Sequence, residues 1–254
     1  MITFDEQVDF FRIIGKELKL RVVCYVIGGS AMMFYGAKVN TKDVDLVFLE
    51  ESELESVKKA LYNMGFDEKQ SVVKIFRRYE KARNTPVMMI GRENRFDLFL
   101  REIITMKMSE NIVERAKQVH EFDNFIVKVI APEYIFLLKS ATEREKDRAD
   151  ALSLIQRFKL DWKIIVEESM HQTKLGQHLF PVYLFDFLYE LKEDLKAEIP
   201  AQVLKDVRKM AKGLLEEKLS FRKRNLQERK NKREENQGKK KEKKIREKKK
   251  GKVH

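Results

Sequence analysis

A chain of 254 residues with 43% apolar content can bury one sizeable core or two modest ones. Its single cysteine, Cys24, excludes an internal disulfide framework, and its four histidines show no zinc spacing. The formal charge of +12 sits at one end: residues 221–254 hold 17 Lys/Arg and 5 Glu, leaving 36 of the 53 basic and 36 of the 41 acidic residues in the first 220.

Residues 4–18 are predicted as an amphipathic helix. Residues 21–27 (Arg-Val-Val-Cys-Tyr-Val-Ile) are β-branched and aromatic and read as a buried strand. Gly28 and Gly29 end it, and Ser30 to Gly36 reads as a short helix. Residues 43–49 (Asp-Val-Asp-Leu-Val-Phe-Leu) form the next predicted strand, and 51–64 a helix over the sheet. Strands are expected at 71–79 and 86–91, joined through Asn84-Thr85-Pro86, and again at Arg95-Phe96-Asp97-Leu98-Phe99-Leu100. Residues 109–119 look helical, and Val127-Lys128-Val129-Ile130 reads as a strand. Pro132 then starts a helix in its first turn, and from about 148 onward the pattern is helical only. The uncharged run 22–37 is too short for a membrane span, and no basic-then-apolar leader is present, so a cytoplasmic location without membrane contact is expected.

Three features carry chemistry. Gly28-Gly29-Ser30 is a small-residue turn whose backbone N–H groups can approach phosphate oxygens, with a helix start aimed at the same place. Asp43 and Asp45 are i and i+2 on a strand, so they share a face and can share hard cations. Asp97 lies among apolar neighbours, where a carboxylate is costly unless paired or metal-bound. Further on, Lys139, Glu143, Asp147 and Asp150 form one stripe if the helix from Pro132 runs unbroken.

The order Gly-Gly-Ser, then Thr41-x-Asp43-x-Asp45, then Asp97 resembles the polymerase-beta-type nucleotidyltransferase superfamily. The run Lys139-x4-Arg144-x-Lys146-Asp147-x2-Asp150 is similar to the second half of the abortive-infection-type (AbiEii-like) toxin nucleotidyltransferases and their uncharacterised relatives. The resemblance covers roughly residues 20 to 157. It implies an α/β (α+β) nucleotidyltransferase fold with a mixed sheet over 1–147; the apolar spacing beyond it gives a helical domain over 148–220, and the charge run a basic, disordered tail over 221–254. It also implies transfer of an NMP from an NTP to an acceptor hydroxyl with two Mg²⁺ ions and release of pyrophosphate. On that resemblance, Asp43, Asp45 and Asp97 are the catalytic and metal residues, with Asp97 drawing the proton from the acceptor. Gly28, Gly29, Ser30, Thr41, Lys139 and Asp147 are then the nucleotide-binding residues. Many relatives carry an arginine two residues before the threonine; here that position is Val39, with Lys38 beside it.

The tail is low in complexity and too poor in apolar residues to pack, and such a segment binds polyanions by counterion release. Nucleic acid, with RNA or tRNA as acceptor, is the expected partner. Two other classes stay open: a non-catalytic RNA-binding protein on a decayed nucleotidyltransferase fold, and a toxin–antitoxin-type transferase that nucleotidylates a protein. Oligomeric state and base preference are not legible.

Overall fold

The computed structural model describes residues 1–69, 86–91, 93–103, 106–142, 144–177 and 179–220; the strand expected at 71–79 lies outside them. Strand β1 (Ile2–Thr3) leads into helix α1 (Phe4–Glu17). Thr3 starts that helix with a capping box: its hydroxyl accepts from the Glu6 N–H, and the Glu6 carboxylate accepts from the Thr3 N–H. Strand β2 (Val22–Val26) runs directly into α2 (Gly28–Phe34), which begins two residues earlier than the sequence suggests. Strands β3 (Asn40–Thr41) and β4 (Val44–Phe48) follow, then helix α3 (Glu51–Asn63) and the strands β5 (Asp67–Lys69), β6 (Val87–Gly91) and β7 (Asn94–Leu100). A short hairpin, β8 (Glu102–Ile103) and β9 (Met106–Lys107), precedes helix α4 (Glu110–Arg115) and the antiparallel pair β10 (Gln118–Phe122) and β11 (Phe125–Val129).

Seven of these strands form one sheet in the order β10-β11-β2-β4-β7-β6-β5. The β11–β2 and β4–β7 pairs are parallel and the others antiparallel, so the sheet is mixed, as expected. Helices α1 and α3 pack on each other; α1 also packs on β10 and β11, and α3 on β2, β4 and β7. Their apolar stripes meet a core rich in phenylalanine, where Phe10, Phe66 and Phe96 pack edge to face. The helix expected over 109–119 is shorter than that. It ends at Arg115, and Gln118–Phe122 instead extends to pair with β11.

Beyond β11 come α5 (Pro132–Ser140), α6 (Glu145–Arg157), α7 (Trp162–Lys174) and α8 (Phe180–Glu193). The unbroken helix from Pro132 through Asp150 is not formed: a turn separates α5 from α6. Helix α5 packs against α2 on one side and α6, α7 and α8 on the others. Helix α7 is tied to the sheet side by polar groups. Glu168 accepts from the Ser109 hydroxyl at 2.8 Å, and Gln172 exchanges two bonds of 2.9 Å with the Lys107 backbone. Ser153 on α6 donates to the Ala37 carbonyl at 3.0 Å.

The first of two compact units runs from Met1 to Arg208, so the boundary expected after residue 147 falls inside α6. The second unit is Lys209–His254, and its described part, residues 209–220, is helical. No helix among the described residues is long and apolar enough to cross a membrane.

Candidate active site

The register of one parallel pair creates the acidic centre. In β4–β7, Val44 pairs with Phe96 and Asp45 with Asp97. One residue back along both strands, Asp43 comes level with Arg95. Side chains two apart on a strand share a face, so all four charged groups project together. Asp97 is 4% exposed. Arg95 grips it with both arms of the guanidinium: Nε donates to Oδ1 at 2.7 Å, and Nη2 donates to Oδ2. The same Nη2 stands 3.5 Å from Asp43 Oδ2.

Gly28 closes the site from the neighbouring strand. The Ile27 N–H donates to the Asp45 carbonyl at 3.1 Å, continuing the antiparallel ladder of β2 and β4. Gly28 then turns with φ +59°, and a Cβ there would lie 2.7 Å from Asp45 Oδ2. Both the backbone angle and the close approach call for glycine. At Gly29 a Cβ would lie 2.8 Å from Thr41 Oγ1, so Thr41, buried on β3, packs directly under the turn. Ser30 is fully buried, and its hydroxyl donates to the Asp43 carbonyl at 3.2 Å. The serine therefore ties the turn to the acid-bearing segment through its side chain.

Electrostatically the centre is short of positive charge. Burial, together with the like charges of Asp43 and Asp97, pushes the Asp45 carboxyl up to about 8. Lys139 and Arg95 pull it the other way without overcoming these effects. Asp97 is also raised: burial outweighs the Arg95 pairing that lowers it. Among the described residues no protein group donates a hydrogen bond to the Asp45 carboxylate. Three carboxylates with this excess of negative charge suit a hard divalent cation in donor type. They are not preassembled for one, since no group of three or more His, Cys, Asp or Glu among the described residues is arranged to hold a metal ion. The Arg95 guanidinium reaches two of the three acids instead.

The second motif folds into an ionic cluster. Lys139 is 5% exposed, not a solvated side chain. Because the chain turns between α5 and α6, Asp147 and Asp150 come back onto it, and both accept from its Nζ at 2.6 Å. Asp147 also accepts from Thr142 Oγ1 at 2.5 Å and from Arg144 Nε at 2.7 Å. Asp150 accepts from Lys38 Nζ at 2.5 Å. Burial alone would raise both aspartates, yet Lys139 and the other donors hold them below the usual carboxylate range. Lys38 thus joins the Gly28–Gly29 turn to α6, while Val39 is 82% exposed. Two further charged residues lie near these acids without having drawn a role from the sequence, Arg95 and Lys146. The field of Asp43 reaches Lys146, whose ammonium is lowered by burial and by the neighbouring Arg144 charge. Arg95 was legible in principle, since Arg-x-Asp on a strand puts both side chains on one face.

A glycine turn set against a paired-acid strand, with a third acid across a parallel register, thus lies on a mixed α/β fold. The chain belongs to the family described as "Nucleotidyl transferase of unknown function (DUF2204)", whose model matches residues 7–181. An antigenic nucleotidyltransferase-like protein from Paracoccidioides brasiliensis has a crystal structure similar to this chain at 15% identity and a TM-score of 0.42, covering 80% of this chain and 98% of that one. No curated protein matches the sequence.

Proposed function

We propose that the protein transfers an NMP from a nucleoside triphosphate to an acceptor hydroxyl and releases pyrophosphate. The observation that carries this reading is the β4–β7 register, which sets Asp45 beside Asp97 with Gly28 against the Asp45 carboxylate. Asp43, Asp45 and Asp97 are the residues that would hold Mg²⁺, which neutralises charge on the reacting phosphate and lowers the pKa of the acceptor hydroxyl. The backbone of Gly28, Gly29 and Ser30 holds the phosphates, with Thr41 packed beneath to fix the turn. The acceptor oxygen forms a bond to the α-phosphorus as the bond to the β-phosphate bridge breaks. Asp97 takes the hydroxyl proton. Lys139, held in place by Asp147 and Asp150, adds fixed positive potential beside Asp45.

RNA is the acceptor class that best suits the chain. Residues 221–254 concentrate 17 Lys/Arg in a segment able to hold polyanions without reading sequence. The arrangement of Lys139, Arg144, Asp147 and Asp150 keeps the likeness to toxin-type transferases within this reading. The test is incubation with each α-labelled NTP, Mg²⁺ and total RNA or protein extract. Label should pass to RNA, and chelator should abolish transfer. Turnover in excess chelator, or none with any NTP and acceptor, would overturn the reading.

A further inference from the structure

We propose that Arg95 is an internal counter-ion that gates cation entry, occupying the acidic centre until a divalent ion displaces it. The proposal rests on the metal-dependent reading above and concerns this chain's own arginine. Its geometry is specific. One guanidinium takes both oxygens of Asp97, and its Nη2 also lies 3.5 Å from Asp43 Oδ2. Two of the three candidate ligands are therefore engaged by a single side chain. The guanidinium commits one lone pair on each Asp97 oxygen and sets a positive charge between Asp97 and Asp43, so it competes with a divalent ion for the same oxygens. Cation binding and retention of Arg95 then oppose each other.

The arginine is placed to leave. Its side chain is 40% exposed, whereas that of Asp97 is 6% exposed. The guanidinium is always charged, so it neutralises the acids without titrating, and the exposed part of its side chain already lies in water. With Arg95 in place, the three acids carry one compensating charge of their own. A divalent ion there would supply two, and a displaced guanidinium would have five donors free for a phosphate. Arg95 is in this sense a positioning residue: it sets whether the acids are free.

The test measures metal binding in the full chain, independently of activity. Mn²⁺ alone serves as the probe, since it shares the oxygen-ligand preference of Mg²⁺ and is read directly by electron paramagnetic resonance. Arg95→Ala should bind Mn²⁺ about tenfold more tightly than wild type, because a positive charge competing at the same oxygens has gone. Arg95→Lys keeps the charge but loses the fork, so a smaller tightening is expected; it carries the test if the alanine variant fails to fold. Loss of binding in Asp45→Asn places the ion at this centre. Equal or weaker Mn²⁺ binding by the folded Arg95 variants, with wild type binding measurably, overturns the gate and leaves the transferase reading standing. Absence of Mn²⁺ binding in wild type and variants alike overturns both.

Discussion

The acidic centre on β4 and β7 and the ionic cluster on α5 and α6 use the same side-chain chemistry in different proportion. In the first, Asp43 and Asp97 share one arginine, and Asp45 is pushed up to about 8 by burial and its neighbours. In the second, Asp147 and Asp150 are met by Lys139, Lys38 and Arg144, and both carboxyls are held low. Asp97, Asp147 and Asp150 are buried and Asp43 and Asp45 half-buried, yet what separates the two sets most is compensation. The matched acids tie α5 to α6; the others are left short of positive charge. The density of charge in a motif therefore does not by itself separate chemistry from architecture; the local balance does.

The comparison is tested most strongly at its acidic end. Asp43→Asn with Asp45→Asn should lower nucleotidyl transfer by on the order of a thousandfold, because the developing phosphate charge loses its stabilisation. Thermal unfolding should show an unchanged or raised Tm, since like-charge repulsion is relieved. A marked drop in Tm would place these acids in the architectural class.

Lys139→Ala should behave in the opposite way. It strands two buried carboxylates and should destabilise the fold by about 3–5 kcal/mol in denaturant titration. The pH dependence has a definite sign. Asp147 and Asp150 have folded pKa values below their unfolded ones, so their contribution is present above the unfolded carboxylate range and is lost as pH falls through it. The gap between wild type and Lys139→Ala should accordingly narrow on acidification. A variant as stable as wild type at neutral pH would mean that the cluster holds nothing together.

Gly28→Ala is the intermediate case. A non-glycine residue at φ +59° costs about 1–3 kcal/mol, and its Cβ would also press on Asp45. Stability should fall modestly and transfer more than stability. Equal loss of both would make the turn a fold element only. The smallest effect on catalysis is expected from removing residues 221–254. RNA affinity should fall and its salt dependence flatten, while transfer to a small acceptor persists. Affinities measured across a salt series for full-length and truncated protein decide this, and identical slopes would remove RNA from the proposal.

Short-range pattern made much of the acidic centre legible. Gly28-Gly29, the i, i+2 spacing of Asp43 and Asp45, and Asp97 among apolar neighbours are all local signals, and the parallel register needed only two strands of the expected length. The ionic cluster was less legible. Helical periodicity runs straight through residues 139–150, and the break depends on Thr142 and Arg144 donating to Asp147 and on Lys38, 112 residues away, meeting Asp150. No window of sequence contains that pairing. Strand β10 is a different case: its pairing with β11 is local, with Phe122 opposite Phe125 across a two-residue turn, and its residues are extended because β11 lies beside them. Ser30 was readable as a small residue in a turn, but not as one whose hydroxyl is spent on Asp43.

The bonds from Lys38 to Asp150 and from Ser153 to Ala37 have a consequence in time as well as in space. A ribosome delivers the chain from the N-terminus, and segments fold as their partners emerge. The loop that follows the glycine turn is made early, yet the residues that latch it come more than a hundred positions later. The β4–β7 strands can pair while synthesis continues, but the loop between α2 and β3 stays unlatched until α6 has been made. Contacts so distant in sequence also close slowly. A nascent chain paused before Asp150 would therefore display the acids without the latched turn, and pairing of the two is reserved for a chain long enough to have built its helices.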